Sequence, residues 1–136
     1  MEKRVKKKEK GLSLEQCIRR AEEYVADLGV CVLAMDVKGS ATHLEEEGNR
    51  YTKRLARMVS DLNHVFEKYL PFSKIIAGNE ERGFKIIRGD QVIGAINYAG
   101  AIKKIYDYQK EHYPDIDLYW TVAKDGWDEK AFREVD

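Results

Sequence analysis

The segment V-C-V-L-A-M-D at residues 30–36 constrains this chain more than any other. Six consecutive apolar residues, some β-branched, stop abruptly on an aspartate. An unbroken run of this kind predicts a strand buried on both faces, where a half-exposed strand would alternate. The run follows directly on a helical pattern. Ser13 opens S-L-E-Q, a capping box in which Gln16 reaches back to the cap. Leu14, Ile18, Ala21, Val25 and Leu28 then recur at helical steps, and Gly29 stops the helix. The stripe fits packing on the chain's own sheet, and its coiled-coil spacing also fits a short helical dimer contact.

Beyond Asp36 the pattern continues. Residues 37–42, V-K-G-S-A-T, read as a short loop. A helix is expected from about Leu44 to Leu70, with Tyr51, Leu55, Met58, Leu62, Val65, Phe66 and Tyr69 among its apolar positions and Pro71 at its end. The acidic cluster Glu45–Glu47 sits near its start, where the helix dipole favours it. A short apolar piece, Ser73–Ala77, and the polar N-E-E-R-G follow. The runs F-K-I-I-R and Q-V-I-G-A-I then flank Gly89 and Asp90, which predicts a β-hairpin with a two-residue turn. A helix is expected from about Tyr98 to His112, closed by Pro114, then a strand at 117–123 and a short helical end.

The core order is β-α-β-β-α-β with one helix in front, an α+β chain of the ferredoxin-like, split βαβ type. The right-handed crossover rule puts both core helices on one face of a four-stranded antiparallel sheet. The strand ending in Asp36 takes a central place beside the hairpin. Residues 1–11 read as a basic flexible tail and residues 12–136 as a single domain.

Charge and composition narrow the function classes. The formal net charge is zero, but residues 1–10 carry +4 and the rest −4. A mildly acidic body argues against a broad nucleic-acid-binding face, and the basic end fits a solvated terminus. No apolar run approaches the roughly 18 residues of a membrane span, and no apolar segment follows the basic start as in a signal peptide. A cytoplasmic protein is expected. Cys17 and Cys31 have neither metal spacing nor a disulfide framework, and His43, His64 and His112 are scattered.

The chemistry points to two carboxylates. In this topology the end of the first strand and the hairpin turn share one edge of the sheet, so Asp36 and Asp90 converge. Adjacent carboxylates repel unless a cation lies between them. A hard divalent ion suits two carboxylates plus phosphate oxygens. The loop after Asp36 leads toward a helix N-terminus, which favours phosphate. Gly39 allows close approach there, and Ser40 or Thr42 can donate a hydrogen bond or cap the helix. Alone, either aspartate also fits a plain structural role, since Gly-Asp is an ordinary turn pair.

With those residues in view, the chain resembles the catalytic domain of class III nucleotidyl cyclases. Their first strand ends in F-x-D-[IV]-x-G-[FS]-T, and residues 34–41 here read A-M-D-V-K-G-S-A. Their hairpin reads K-x-x-G-D-x-x-M-A-x-F, against I-I-R-G-D-Q-V-I-G-A-I at residues 86–96. The resemblance covers about residues 30–123 and implies a palm-type core. It further implies Mg²⁺ or Mn²⁺ on Asp36 and Asp90, with the backbone carbonyl of Val37 assisting. A nucleoside triphosphate, ATP or GTP, would be cradled by Val37, Lys38, Gly39, Ser40 and Ala41 together with Arg88 and Gly89. It also implies a homodimer, since such sites form between two copies, and a cyclic nucleotide as product. GGDEF-type diguanylate cyclases are a weaker likeness, with R-G-D-Q-V at residues 88–92 standing against their motif. Two family features are absent: the base-selecting Lys or Glu, where Ile86 stands, and a late N-x-x-x-R. A degenerate, non-catalytic nucleotide-binding or protein-interaction domain of the same fold is therefore the alternative.

Overall fold

The computed structural model describes residues 11–39, 48–73 and 81–124. The basic tail at 1–10, the expected helix start within 40–47, the apolar piece beyond Ser73 and the final helical stretch lie outside the described residues.

The elements run α1 (Leu14–Leu28), β1 (Cys31–Val37), α2 (Asn49–Val65), β2 (Phe72–Ser73), β3 (Glu81–Arg82), β4 (Lys85–Ile87), β5 (Gln91–Ile96), α3 (Ala101–His112) and β6 (Leu118–Ala123). The main sheet has the order β4-β5-β1-β6, antiparallel throughout, with β1 central between the hairpin and β6. This is the ferredoxin-like order, with α1 added in front.

Local chemistry explains the element ends. The Ser13 hydroxyl accepts from the Gln16 amide at 3.1 Å and the Ser13 amide donates to the Gln16 side chain at 2.9 Å, which closes the capping box. Gly29 ends α1 at φ 84°, in the left-handed region that glycine enters without steric cost. The second helix stops earlier than its pattern suggests. Phe66 leaves helical geometry at φ −109° and ψ 22°, and a single 3₁₀ turn over Glu67–Tyr69 carries the chain to Pro71. The third helix begins at Ala101 rather than Tyr98, because Tyr98–Gly100 form the turn that feeds it. The small β2–β3 pair went unpredicted, being too short to show a period.

One face of the sheet carries the main core. Cys31, Leu33, Met35 and Val37 of β1 pack with Cys17 and Ala21 of α1, Leu55, Met58 and Leu62 of α2, and Ile102 and Ile105 of α3. The α1 stripe is thus used on the chain's own sheet. Asn63 on α2 clasps the Phe84 backbone with two hydrogen bonds, fixing the entry to the hairpin. Gln109 on α3 donates to the carbonyls of Tyr113 and Ile116 and sets the turn into β6. The opposite face holds a smaller cluster of Val32, Ala34 and Ile93, flanked by Ile87 and Ala123. With both faces covered, all seven residues of β1 are buried, as its unbroken apolar run requires. Among the described residues, no helix is long and apolar enough to cross a membrane.

Candidate functional site

Asp36 occupies the second-to-last position of β1. Strand alternation places it on the face away from the helices, in line with Val32 and Ala34. It lies opposite Gln91 of β5 and opposite Tyr119 of β6. Only 4% of it is exposed. A carboxylate buried that deeply must be compensated by donors or a cation, because desolvating an ion costs several kcal/mol.

Asp90 arrives from the hairpin. The Val37 amide donates to the Asp90 carbonyl at 3.0 Å, which extends the β1–β5 ladder by one step. The two aspartates therefore have neighbouring backbone positions on adjacent strands, with Cα atoms roughly 6 Å apart by strand geometry. The register sets Asp90 against Val37 and Asp36 against Gln91, so alternation alone does not put their side chains on one face. The turn itself differs from the expected two-residue form. Ile87 pairs with Gln91, so Arg88, Gly89 and Asp90 make a three-residue turn. Arg88 sits at φ 56° and Gly89 at φ 81°, and a left-handed residue cannot continue the β4 strand. Glycine tolerates that region, whereas a side chain there costs on the order of 1 kcal/mol.

The hairpin register also sorts the residues around the resemblance. Ile86 lies opposite Val92 and packs toward the helix-side core, whereas Lys85 lies opposite Ile93, on the same face as Asp36. On β6, Thr121 lies opposite Ala34 and so shares that face. Two buried oxygens there, Gln91 Oε1 and Thr121 Oγ1, have no hydrogen-bond partner among the described residues. Sequence reasoning singled out neither residue. Alternation within L-Y-W-T-V-A gives the face of Thr121, but only the register against β1 shows that it lies near Asp36.

The loop residues divide. Lys38 turns toward β6: its amide donates to the Asp117 carbonyl at 2.9 Å, and its ammonium lies 3.9 Å from the Asp117 carboxylate and 4.8 Å from the Tyr119 ring centre. Gly39 follows at φ 65°. Ser40 and Ala41 lie outside the described residues. Asp36, Val37, Gly89 and Asp90 are thus brought together, with Arg88 at the same turn, and Lys38 stands on the opposite flank of β1.

The donor set suits a hard cation, since carboxylate and carbonyl oxygens match Mg²⁺ or Mn²⁺. Among the described residues no group of three or more His, Cys, Asp or Glu side chains gathers, so a cation here would draw its remaining ligands from phosphate and water. The cysteines do not compete. Burial pushes the thiols of Cys17 and Cys31 up to about 12, which keeps them protonated and poor as nucleophiles or ligands. No protein-family model matches the sequence, and comparisons with curated proteins and with solved structures give no significant match.

Proposed function

We propose that this chain is a nucleotidyl cyclase-like domain that binds a nucleoside triphosphate through a divalent metal held by Asp36 and Asp90. The observation that supports the reading is the backbone adjacency of two aspartates far apart in sequence, Asp36 on β1 and Asp90 at the β4–β5 turn. The cation, Mg²⁺ or Mn²⁺, neutralises phosphate charge when bound. The protein's own part is placement: Asp36 is fixed within a buried strand, and Asp90 is held by the ladder bond to Val37. Gly39 and Gly89 let the backbone approach phosphate closely, and Arg88 offsets its charge. A second copy of the chain completes the site in this reading, which makes the working unit a cytoplasmic homodimer that forms a cyclic nucleotide.

One observation favours the alternative of binding without turnover. Ile86, at the family's base-selecting position, packs toward the helix-side core, so its side chain offers no contact to a base. Calorimetric titration with ATP and with GTP, with and without Mn²⁺, tests the binding claim. Metal-dependent binding that is lost in both Asp36→Asn and Asp90→Asn is the expected result. Binding indifferent to metal and to both substitutions would refute it. Chromatography of the incubated nucleotide then separates turnover from binding alone.

A further inference from the structure

The cross-strand register places more than Asp36 on the face away from the helices. Gln91 on β5 and Tyr119 on β6 lie directly opposite Asp36, and Thr121 lies opposite Ala34, one diagonal step away. Residues directly opposite have Cβ atoms about 5 Å apart, and diagonal neighbours about 7–8 Å. The long Gln91 side chain can therefore share an ion with the Asp36 carboxylate, while the shorter Thr121 reaches that ion through a water. Asp90 takes neither position, since its backbone is paired with Val37.

The independent sign of a ligand is Thr121. It is only 1% exposed, and its Oγ1 is buried with no hydrogen-bond partner among the described residues. Gln91 Oε1 is buried and unpartnered among them in the same way. An amide oxygen and a carboxylate only accept hydrogen bonds, so this part of the face is rich in acceptors that call for positive charge. Its neighbours on the strands add no donor. Ala34 and Ile93 are apolar, and Lys85, which shares the face, bonds neither oxygen.

We propose that Gln91 and Thr121 complete the cation site of Asp36. Gln91 Oε1 is a direct ligand of the divalent ion, and the Thr121 hydroxyl holds one of the ion's waters. This assignment rests on the reading that Asp36 binds Mg²⁺ or Mn²⁺, and adds to it two residues from the same sheet face. One carboxylate and one amide oxygen suit a hard ion that keeps several waters and takes phosphate oxygens as further ligands. Thr121 is then a positioning residue, because it acts through the water and touches no reacting atom.

The test is a Mn²⁺ titration of the full chain without nucleotide, following the EPR signal of the free ion. Wild type is expected to bind Mn²⁺. Gln91→Met and Thr121→Val should each weaken it about tenfold or more, as losses around a bound metal commonly do. Thr121→Ser should keep wild-type affinity, since the hydroxyl remains. Gln91→Glu gives the sharpest result. It should bind Mn²⁺ more tightly than wild type yet melt lower in EDTA, because two carboxylates then face each other without an ion. A merely structural glutamine predicts no gain in Mn²⁺ affinity. Wild-type affinity in both Gln91→Met and Thr121→Val, with loss only in Asp36→Asn, would overturn this assignment and leave the nucleotide reading standing. Affinity unchanged in Asp36→Asn as well would overturn both. No Mn²⁺ binding by wild type would overturn the assignment, whatever the nucleotide titration gives.

Discussion

The two faces of the central sheet are both buried yet chemically unlike. Toward the helices, β1 presents Cys31, Leu33, Met35 and Val37, and everything they meet in that core is apolar or aromatic. On the other side the same strand presents Val32, Ala34 and Asp36, beside Gln91 and Thr121, whose side-chain oxygens have no partner among the described residues. Unpaired polar atoms do not by themselves mark that face. The helix side also buries the Trp120 indole nitrogen and Gln109 Oε1 with no hydrogen-bond partner among the described residues. What distinguishes the other face is the buried carboxylate of Asp36. The contrast is between an apolar core on the helix side and a buried carboxylate on the other.

Substitutions can break that division. The largest expected effect is on the helix side. Leu33→Ala should lower unfolding free energy by about 3 kcal/mol, measured by urea denaturation, because a fully buried side chain leaves a cavity. A loss near zero would mean that the helix layer does not hold the sheet. Alkaline pH probes the same side. The thiols of Cys17 and Cys31 are raised from 9.0 to about 12 by burial, so the unfolded chain releases these protons first. Their contribution is fully present below pH 9 and should decline as pH rises toward about 12. Melts of wild type and Cys31→Ala across that window should show the variant falling less steeply.

On the other face the sign should reverse. Thr121→Val removes a buried hydroxyl with no partner among the described residues, so stability should hold or rise by up to about 1 kcal/mol while nucleotide affinity drops. A clear loss of stability would show that the hydroxyl serves the fold. The smallest effect belongs to the turn. Arg88→Gly relieves a left-handed side-chain residue and should shift stability upward by no more than about 1 kcal/mol, while nucleotide binding weakens through the lost charge.

Much of the fold was legible in residues 30–36, because an unbroken apolar run has few ways to be buried. The capping box at Ser13 and the backbone proximity of Asp36 and Asp90 followed from short-range chemistry and topology. The misses have physical causes. Helix α2 loses its last turn at Phe66, where apolar spacing continues although the backbone leaves helical geometry. The hairpin turn takes in Arg88, a residue whose type gives no sign of a left-handed backbone. Lys38 looked like part of one phosphate loop, but Asp117 and Tyr119 hold it on the β6 flank. Cross-strand register, which places Thr121 near Asp36, depends on long-range packing that no local pattern contains.

The most direct test of the central claim measures Asp36→Asn twice in the same buffer, once for thermal stability and once for Mn²⁺-dependent nucleotide binding. The account predicts a folded protein whose melting temperature changes little, since asparagine keeps the shape and part of the hydrogen-bonding capacity of the buried carboxylate, and whose metal-dependent binding is gone. A variant that unfolds at markedly lower temperature yet keeps wild-type nucleotide affinity would contradict it, making Asp36 a structural carboxylate.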